Sequence, residues 1–523
     1  MSKKKTPEII TVDAAQVQEL LAQLQRHLPE PVFESAAAML RTLQWVMELI
    51  QKKNASLGRL RRILFGDKTE KTKNLFAGNG AAGVAAKERK PVKGHGRNGA
   101  NQYSGAQRVD VSHPKLKPGE GCPACEKGNL IERAPSRIVR IVAQPMFHAT
   151  IFALQVLRCS LCGKTYTAPA PAAAGTAKYD PKVGPMIAMM RFGGGMPHYR
   201  MEKMQKDLGV PLPAATQWEL MEESARNLEP VHQELIRVAA QGQLLHNDDT
   251  TMRIQSLKKE RAQSGSGRTG IFTTSIISKI QDHHIALYFT GGNHAGENLG
   301  EVLKHRAAGL DKPIHMCDGL SRNLPREFDA LLAHCIPHGR RNFVDVKESF
   351  PEQCRKVLED LSLVFKNDAQ AKQEELSPLD RLRLHQERSA PILEGLRSWM
   401  QEQLDQKKVE PNSGLGEAIR YMFNHWEPLT LFLREPGAPL DNNICERALK
   451  LAILHRKNSL GYKTQNGARI GDLFMSLIHT CRLATVNPFD YLTTLVAHAQ
   501  SVRNAPDQWL PWSYRQTLAT AIG

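Results

Sequence analysis

Two apolar segments of this chain end in acid, GQLLHNDDT (242–250) and KPIHMCDG (312–319), and a third acid, Glu446, stands in LDNNICERALKLAIL (440–454). Carboxylates gathered from three such segments can hold two Mg²⁺ ions roughly 3.5–4 Å apart. One ion activates water or a 3′-hydroxyl; the other stabilises the leaving oxygen of a phosphodiester. Hard oxygen donors suit that ion. Each acid also has a plain structural reading. Asn443-x-x-Glu446 is a capping box. Asp318-Gly319 reads as a turn, and Asp248 or Asp249 as a cap at a strand end. Spacing alone leaves the two readings open, with the metal site the less common.

A second chemistry lies in the cysteines. Of nine, four form the close pairs Cys122/Cys125 and Cys159/Cys162, in GCPACEKG and RCSLCGK. Two such knuckles complete a tetrahedral Cys₄ site for one structural Zn²⁺. Chance pairs or a redox CxxC are the alternatives. The 33 residues between Cys125 and Cys159 include RIVRIVAQ and ATIFALQVL, whose alternation predicts a β-hairpin. The remaining cysteines are scattered, which fits a reduced compartment rather than a disulfide framework. Cys335-x-x-His338 offers half of a second zinc site, but no partner pair follows it, and a structural role beside Arg340 and Arg341 is the preferred reading.

These groups must be positioned by a large chain: 523 residues, 41% hydrophobic and 24% charged, which excludes global disorder. No apolar run reaches the roughly 18 residues of a membrane span. MSKKKTPEII has no apolar stretch behind it, so no signal peptide is expected. The net charge of +17 points to a polyanionic partner, nucleic acid first. A helix over 17–28 is expected to stop at Pro29 and Pro31. From Ala36 to Leu64 apolar residues fall on an a/d seam with Asn54 on an a position; coiled-coil pairing and packing within the chain are equally good readings. Residues 51–120 carry 16 Lys/Arg against 5 Asp/Glu, and 77–105 read as a flexible basic linker. In PHYRMEKMQKDLGVPLPAATQWELMEESAR, a helix from about His198 to Leu208, a stop at Gly209 and a second helix from about Ala214 fit helix-turn-helix, or a plain helical hairpin. Strand-like GIFTTSIIS (270–278) and HHIALYFT (283–290), then a helical stretch from Glu297 to Ala307, separate the first two acids and mark an α/β core.

In this order the segments resemble transposases of the bacterial insertion-sequence 66 family. The likeness runs from about Leu57 to Trp512. RLRRILFGDKTEK, the CPAC and CSLC knuckles, PHYRMEKMQKDLG, LLHNDDT, HMCDG, CIPHGRRNF, LDNNICERALK, HRKNSLGY and SLIHTCRLATVNPFDYL carry it. The resemblance implies an RNase H-like core with a DDE triad, and assigns that triad and its magnesium to Asp248, Asp318 and Glu446. The first motif departs from the usual His-Ala-Asp-Glu-Thr, reading His246-Asn247-Asp248-Asp249-Thr250, so Asp249 is a spare; Leu320 stands where the family has an aromatic residue soon after Asp-Gly. Candidate DNA contacts are Arg61, Arg62, Arg200, Lys203, Gln217, Arg340, Arg341, Arg447, Arg456 and Lys457.

The expected architecture is multidomain α+β. A helical region with the coiled-coil seam (1–75) precedes a flexible basic linker (76–118), a zinc-ribbon-like module (119–168) and a helix-turn-helix region (180–238). An RNase H-like α/β catalytic core (239–346 and 431–475) follows, interrupted by a helical insertion (347–430), and a helical region (476–523) closes the chain. The expected activity is transposition: binding terminal inverted repeats, hydrolysing a strand and directing the freed 3′-OH at target DNA. Expected partners are element ends and target DNA, at least one further copy of the chain, and accessory proteins of the same element. No membrane is expected, and the compartment is the bacterial cytoplasm at the nucleoid. A nuclease without strand transfer, or a zinc/helix-turn-helix DNA binder with an inactive core, are the alternatives.

Overall fold

The computed structural model describes residues 14–42, 108–121, 123, 129–133, 138, 146–158, 160, 164–264 and 269–522. The greater part of the a/d seam, with Asn54, lies outside these residues, as do Arg61, Arg62, the stretch 77–105 and the knuckle cysteines Cys122, Cys125, Cys159 and Cys162. The chain divides into two units, 77–150 and the remainder. Among the described residues no helix is long and apolar enough to cross a membrane.

In the smaller unit, Gly121 and Asn129 form an antiparallel bridge around the first CxxC segment, and the Gly119 and Leu130 N–H groups bond across it. In the larger unit, β1 (Val156–Arg158) and β2 (Thr165–Thr167) pair antiparallel around the second. Of the hairpin expected from RIVRIVAQ and ATIFALQVL, the first half lies outside the described residues apart from Ile138. Residues 149–155 carry no strand, and Ile151 is 92% exposed, so the alternating pattern there does not mark a buried face.

Helix α1 (Ala14–His27) ends before Pro29, and a second helical run, 30–42, has Pro31 in its first turn, where a missing N–H removes no helical bond. Further along, α2 (His198–Asp207) and α3 (Ala214–Ala239) are the expected helix pair. Gly209 closes α2 at φ +76°, with its N–H on Lys206 O and that of Val210 on Gln205 O, a left-handed cap that suits glycine.

Five strands build the central sheet: β3 (Leu244–Thr251), β4 (Phe272–Ile280), β5 (His283–Gly291), β6 (Ile314–Cys317) and β7 (Leu331–His334). Their order is β5-β4-β3-β6-β7. β3, β4 and β5 pair antiparallel, whereas β6 and β7 join β3 in parallel. The run TTSIIS (273–278) of β4 and the apolar centre IALY (285–288) of β5 are fully buried, as strands covered on both faces require. Helix α4 (Ala295–Leu303) touches β3 and β4; α10 (Asn443–Ser459) also packs on both, and α11 (Gln465–Leu483) lies along β5.

The edge strand β5 would expose a row of N–H groups. Instead, Ala286, Tyr288 and Thr290 donate to Thr480 Oγ1 (3.0 Å), Ser476 Oγ (3.0 Å) and Asp472 Oδ2 (2.7 Å) of α11. Four residues of helix rise about 6 Å and two of strand about 6.8 Å, so the two periodicities nearly match.

Between β7 and α10 the chain forms α5 (Ile336–Val346), α6 (Pro351–Gln373), α7 (Pro378–Arg388), α8 (Ala390–Asp405) and α9 (Gly414–Asn424). Their apolar faces are continuous with the sheet: Met316 and Ala333 share one buried cluster with Phe343, Leu361, Met400 and Ile419. Arg381 bonds the buried Asp368 through Nε (2.9 Å) and Nη2 (2.7 Å), and its Nη1 reaches Ala438 O (2.8 Å). That last bond fixes the strap that leads into α10.

Candidate active site

Pairing of β3 with β6 runs from Leu244↔Ile314 to His246↔Met316 and stops there. β3 continues to Thr251 on its other side, against β4. Asp248 is therefore inside a strand rather than at its end, but just beyond the last parallel partner. Extending the same register puts Asp248 beside Asp318, on one face. The two acids meet because one strand outruns its neighbour.

Glu446 comes from the first turn of α10. Its neighbour Cys445 donates from Sγ to Ser275 O at 3.2 Å, and Ser275 is the register partner of Asp248. The electrostatics report the result. Burial, then the charge of Asp318, with lesser contributions from Asp249 and Glu446, raise the Asp248 carboxyl from 3.8 to about 7, against the N–H bond of Asp249.

Asp249 points to the opposite face. Its side chain is 2% exposed, and it pairs with His294 at 3.1 Å and Arg322 at 3.3 Å. The spare acid is thus held by two basic groups of its own. Asp318 also forms a turn: its Oδ1 accepts from Leu320 N (3.2 Å) and from Asn323 Nδ2 (2.5 Å). Turn and site readings hold together at this residue. Gly319 has φ +62°, and a Cβ there would approach His334 Nδ1 and the Tyr421 hydroxyl at 3.2 and 3.3 Å.

The capping-box reading of 443–446 fails. The N-cap is Asn442, and its side chain makes no cap bond. Instead, Asn442 Nδ2 donates to Asn247 O (3.0 Å), and its Oδ1 meets His246 Nδ1 (2.9 Å). With Nδ2 fixed as donor, Oδ1 accepts and His246 carries its proton on Nδ1. Likewise Asn247 Nδ2 donates to Asn323 O (2.8 Å), so its Oδ1 accepts from His315 Nε2 (2.9 Å). Burial holds both imidazoles neutral, lowering His246 to about 4 and His315 to about 3. This buried network joins the three acid-bearing segments. Sequence reasoning missed it, although Asn442, His246 and Asn247 stand within the motifs that carry the acids.

Helix α5 adds Cys335 and His338. His338 Nδ1 lies 4.0 Å from Glu446 Oε1. Tyr421 and His425, from the helical segment 414–425, meet ring against ring at a tilt of 49°, and His425 contacts His334 in the same way. Asp318 and the burial around it raise the Tyr421 hydroxyl to about 12, burial being the larger cause. These rings were not foreseen.

The candidate DNA contacts separate by exposure. Arg200, Lys203, Arg447 and Lys457 are exposed; Arg340 and Arg341 are half-buried on α5. Arg456 is engaged at the end of β3, donating to Thr250 Oγ1 (3.2 Å), Thr251 Oγ1 (2.6 Å) and the Thr251 carbonyl. Gln217 does not reach the surface. It is fully buried, with Nδ1 of His198 at 2.9 Å from its Oε1 and its Nε2 donating to Leu212 O at 2.8 Å, because α3 is a core helix at that turn.

Residues 177–470, more than half of the chain, match the profile of the family described as "Transposase IS66 family". Similar curated proteins come from Sinorhizobium fredii (strain NBRC 101917 / NGR234). The uncharacterized protein y4hP is 25% identical over 70% of this chain and 68% of its own length. The uncharacterized protein y4jD is 30% identical over 35% and 36%, and the uncharacterized protein y4qI 25% identical over 63% and 61%. This chain therefore spans less than two thirds of two of these relatives.

Proposed function

The chain belongs to the IS66 transposase family, and we propose that it cuts DNA at the ends of an insertion sequence and transfers the freed 3′-hydroxyl to target DNA, with Asp248, Asp318 and Glu446 as its catalytic carboxylates. The observation that carries this reading is the placement of the acids: the β3–β6 register, continued past His246, sets Asp248 beside Asp318, and burial together with the charges of Asp318, Asp249 and Glu446 raises the Asp248 carboxyl to about 7. An acid on a central strand, a second at the end of the parallel neighbour and a third on a helix across that face also support an RNase H-like core.

The donor set fits magnesium. All three groups offer hard oxygen, and the negative cluster they form is one a divalent cation would offset. When bound, two Mg²⁺ ions supply activation of the attacking oxygen and charge stabilisation of the leaving one. The chain's own residues do the positioning. The Asn442–His246 and Asn247–His315 bonds hold the backbone beneath the acids, and Asn323 orients Asp318. Exposed Arg200, Lys203, Arg447 and Lys457 are the candidate phosphate contacts, with half-buried Arg340 and Arg341 of α5 as further candidates. One structural zinc on Cys122, Cys125, Cys159 and Cys162 completes the reading. Its support is the CxxC spacing of the two pairs. Partners are terminal inverted repeats, target DNA and at least a second copy of the chain, with accessory proteins of the element.

The test is cleavage of an end-bearing duplex with Mg²⁺. Asp248→Ala, Asp318→Ala and Glu446→Gln should each bring cleavage to background while end binding stays within about twofold, since metal ligation and not phosphate contact is their role. Near-normal cleavage by Asp318→Ala would remove the assignment.

A further inference from the structure

Cys335 is the N-cap of α5, and His338 stands in the first turn of that helix. Glu446 enters from the first turn of α10. The thiol sulfur, an imidazole nitrogen and a carboxylate oxygen of these residues all lie within 4.8 Å of one another. His338 Nδ1 is shut off from solvent and has no hydrogen-bond partner, although Glu446 Oε1 is 4.0 Å away. Main-chain bonds tie the two ligand-bearing segments together: Asn442 N–H donates to Cys335 Sγ (3.3 Å), and Ile336 N–H to Leu440 O (3.0 Å).

We propose that Cys335, His338 and Glu446 form a binding site for a thiophilic divalent cation of the zinc(II) class, distinct from the oxygen-only ligands Asp248 and Asp318. Sulfur and imidazole donors select such an ion over magnesium. Burial holds the metal-free Cys335 thiol up at about 12, against the Asn442 N–H on its sulfur, so it is the ion that would draw off the proton. Three protein ligands leave a fourth position for water, the pattern of an open zinc site. Binding would release the Cys335 proton to solvent as the S–metal bond forms. Only the shared Glu446 makes the proposal depend on the catalytic reading: an ion here draws that carboxylate away from Asp248 and Asp318.

Cobalt(II) is the probe, titrated into the full-length protein and followed by thiolate-to-cobalt charge-transfer absorption. The knuckle cysteines give their own band, so the informative quantity is the difference between wild type and variants. Cys335→Ser should lose one cobalt equivalent with its charge-transfer intensity, and His338→Gln should weaken that equivalent by about 10-fold or more. Asp248→Asn should retain it. If Cys335→Ser fails to fold, His338→Gln and Glu446→Gln carry the comparison, with circular dichroism as the check. Wild-type spectra and stoichiometry in folded His338→Gln and Glu446→Gln would overturn the site. So would loss of the equivalent in Asp248→Asn, which would put the ion among the carboxylates. The catalytic reading fails separately: if Asp248→Asn cleaves DNA normally, that assignment falls while the cobalt result stands.

Discussion

Asp248 and Asp249 are adjacent in sequence and opposite in environment. Strand alternation sends one toward Asp318 and Glu446 and the other toward His294 and Arg322. The carboxyl of Asp248 is raised, and this has a consequence for stability. Asp248 titrates near its ordinary 3.8 when unfolded and at about 7 when folded. Between those values the folded protein keeps a proton that the unfolded chain releases. Without metal, stability therefore falls as pH rises through that window, and the loss is complete above 7. At 1.36 kcal/mol per unit the shift amounts to about 4 kcal/mol. Asp248→Asn should then raise the melting temperature of the metal-free protein at pH 8 and change it little at pH 4. Calorimetry at both values checks this, and equal melting temperatures at pH 8 would show that Asp248 is not held in a desolvated negative cluster. Magnesium should stabilise the wild type more than the variant. The acids themselves were legible as chemistry, but the choice between Asp248 and Asp249 was not fixed by spacing. It depends on which face of β3 is covered by α10, a tertiary fact. Tyr421 was hidden for the same reason, reaching the acids from a helix more than 100 residues beyond Asp248; Cys335 and His338 were legible as a pair, but not that Glu446 stands beside them.

Helix α10 carries one of the acids, and what seats it is the N-cap Asn442. Its side chain is spent on β3 rather than on its own helix. Asn442→Ala should leave the fold and DNA binding intact but let the first turn shift. A misplacement of about 1 Å can cost about 100-fold in rate, so single-turnover cleavage should drop by about that factor with end affinity unchanged. Unaltered single-turnover rates would reduce Asn442 to packing. The clasp of α11 on β5 is a separate device for stability. Thr480→Val keeps the shape but leaves the buried Ala286 N–H without its acceptor, a loss of about 1–3 kcal/mol in denaturant unfolding. A cost near zero would mean that the sheet edge finds another acceptor. Strands β4 and β5 and helices α2 and α3 were readable from period and glycine, because local pattern and tertiary burial agree there. The extent of β3 was not, since LLHNDDT ends its apolar run at Leu245 and its last residues are strand only through pairing with β4. Gln217 misled for a related reason: a polar residue near the start of a helix reads as surface until its two carbonyl partners are known.

Charge belongs to the whole molecule. Residues 51–120 carry 16 Lys/Arg against 5 Asp/Glu, more than half of the net +17, so the basic excess is concentrated before the sheet in sequence rather than around it. Ions released from DNA by such a tract make affinity fall with salt, with a log–log slope of about −0.9 per phosphate neutralised. Residues 77–105 contain five Lys/Arg. If all of them track phosphates, deleting the stretch should flatten the slope by about 4 to 5; if the stretch only spaces its neighbours, the slope will not move. The exposed pair Arg200 and Lys203 gives an independent comparison on a folded element: replacing both with Ala should flatten the slope by about 2 and weaken binding alike on element ends and unrelated duplexes. Asp318→Ala serves as the control, because a carboxylate facing Asp248 does not neutralise phosphates and its loss should not flatten the slope. Filter-binding or fluorescence titrations across salt concentrations measure all three. A slope unchanged by both the deletion and the double replacement would move the DNA-tracking surface to the half-buried arginines of α5 and to α10, where Arg447 near its start and Lys457 in its last turn are exposed.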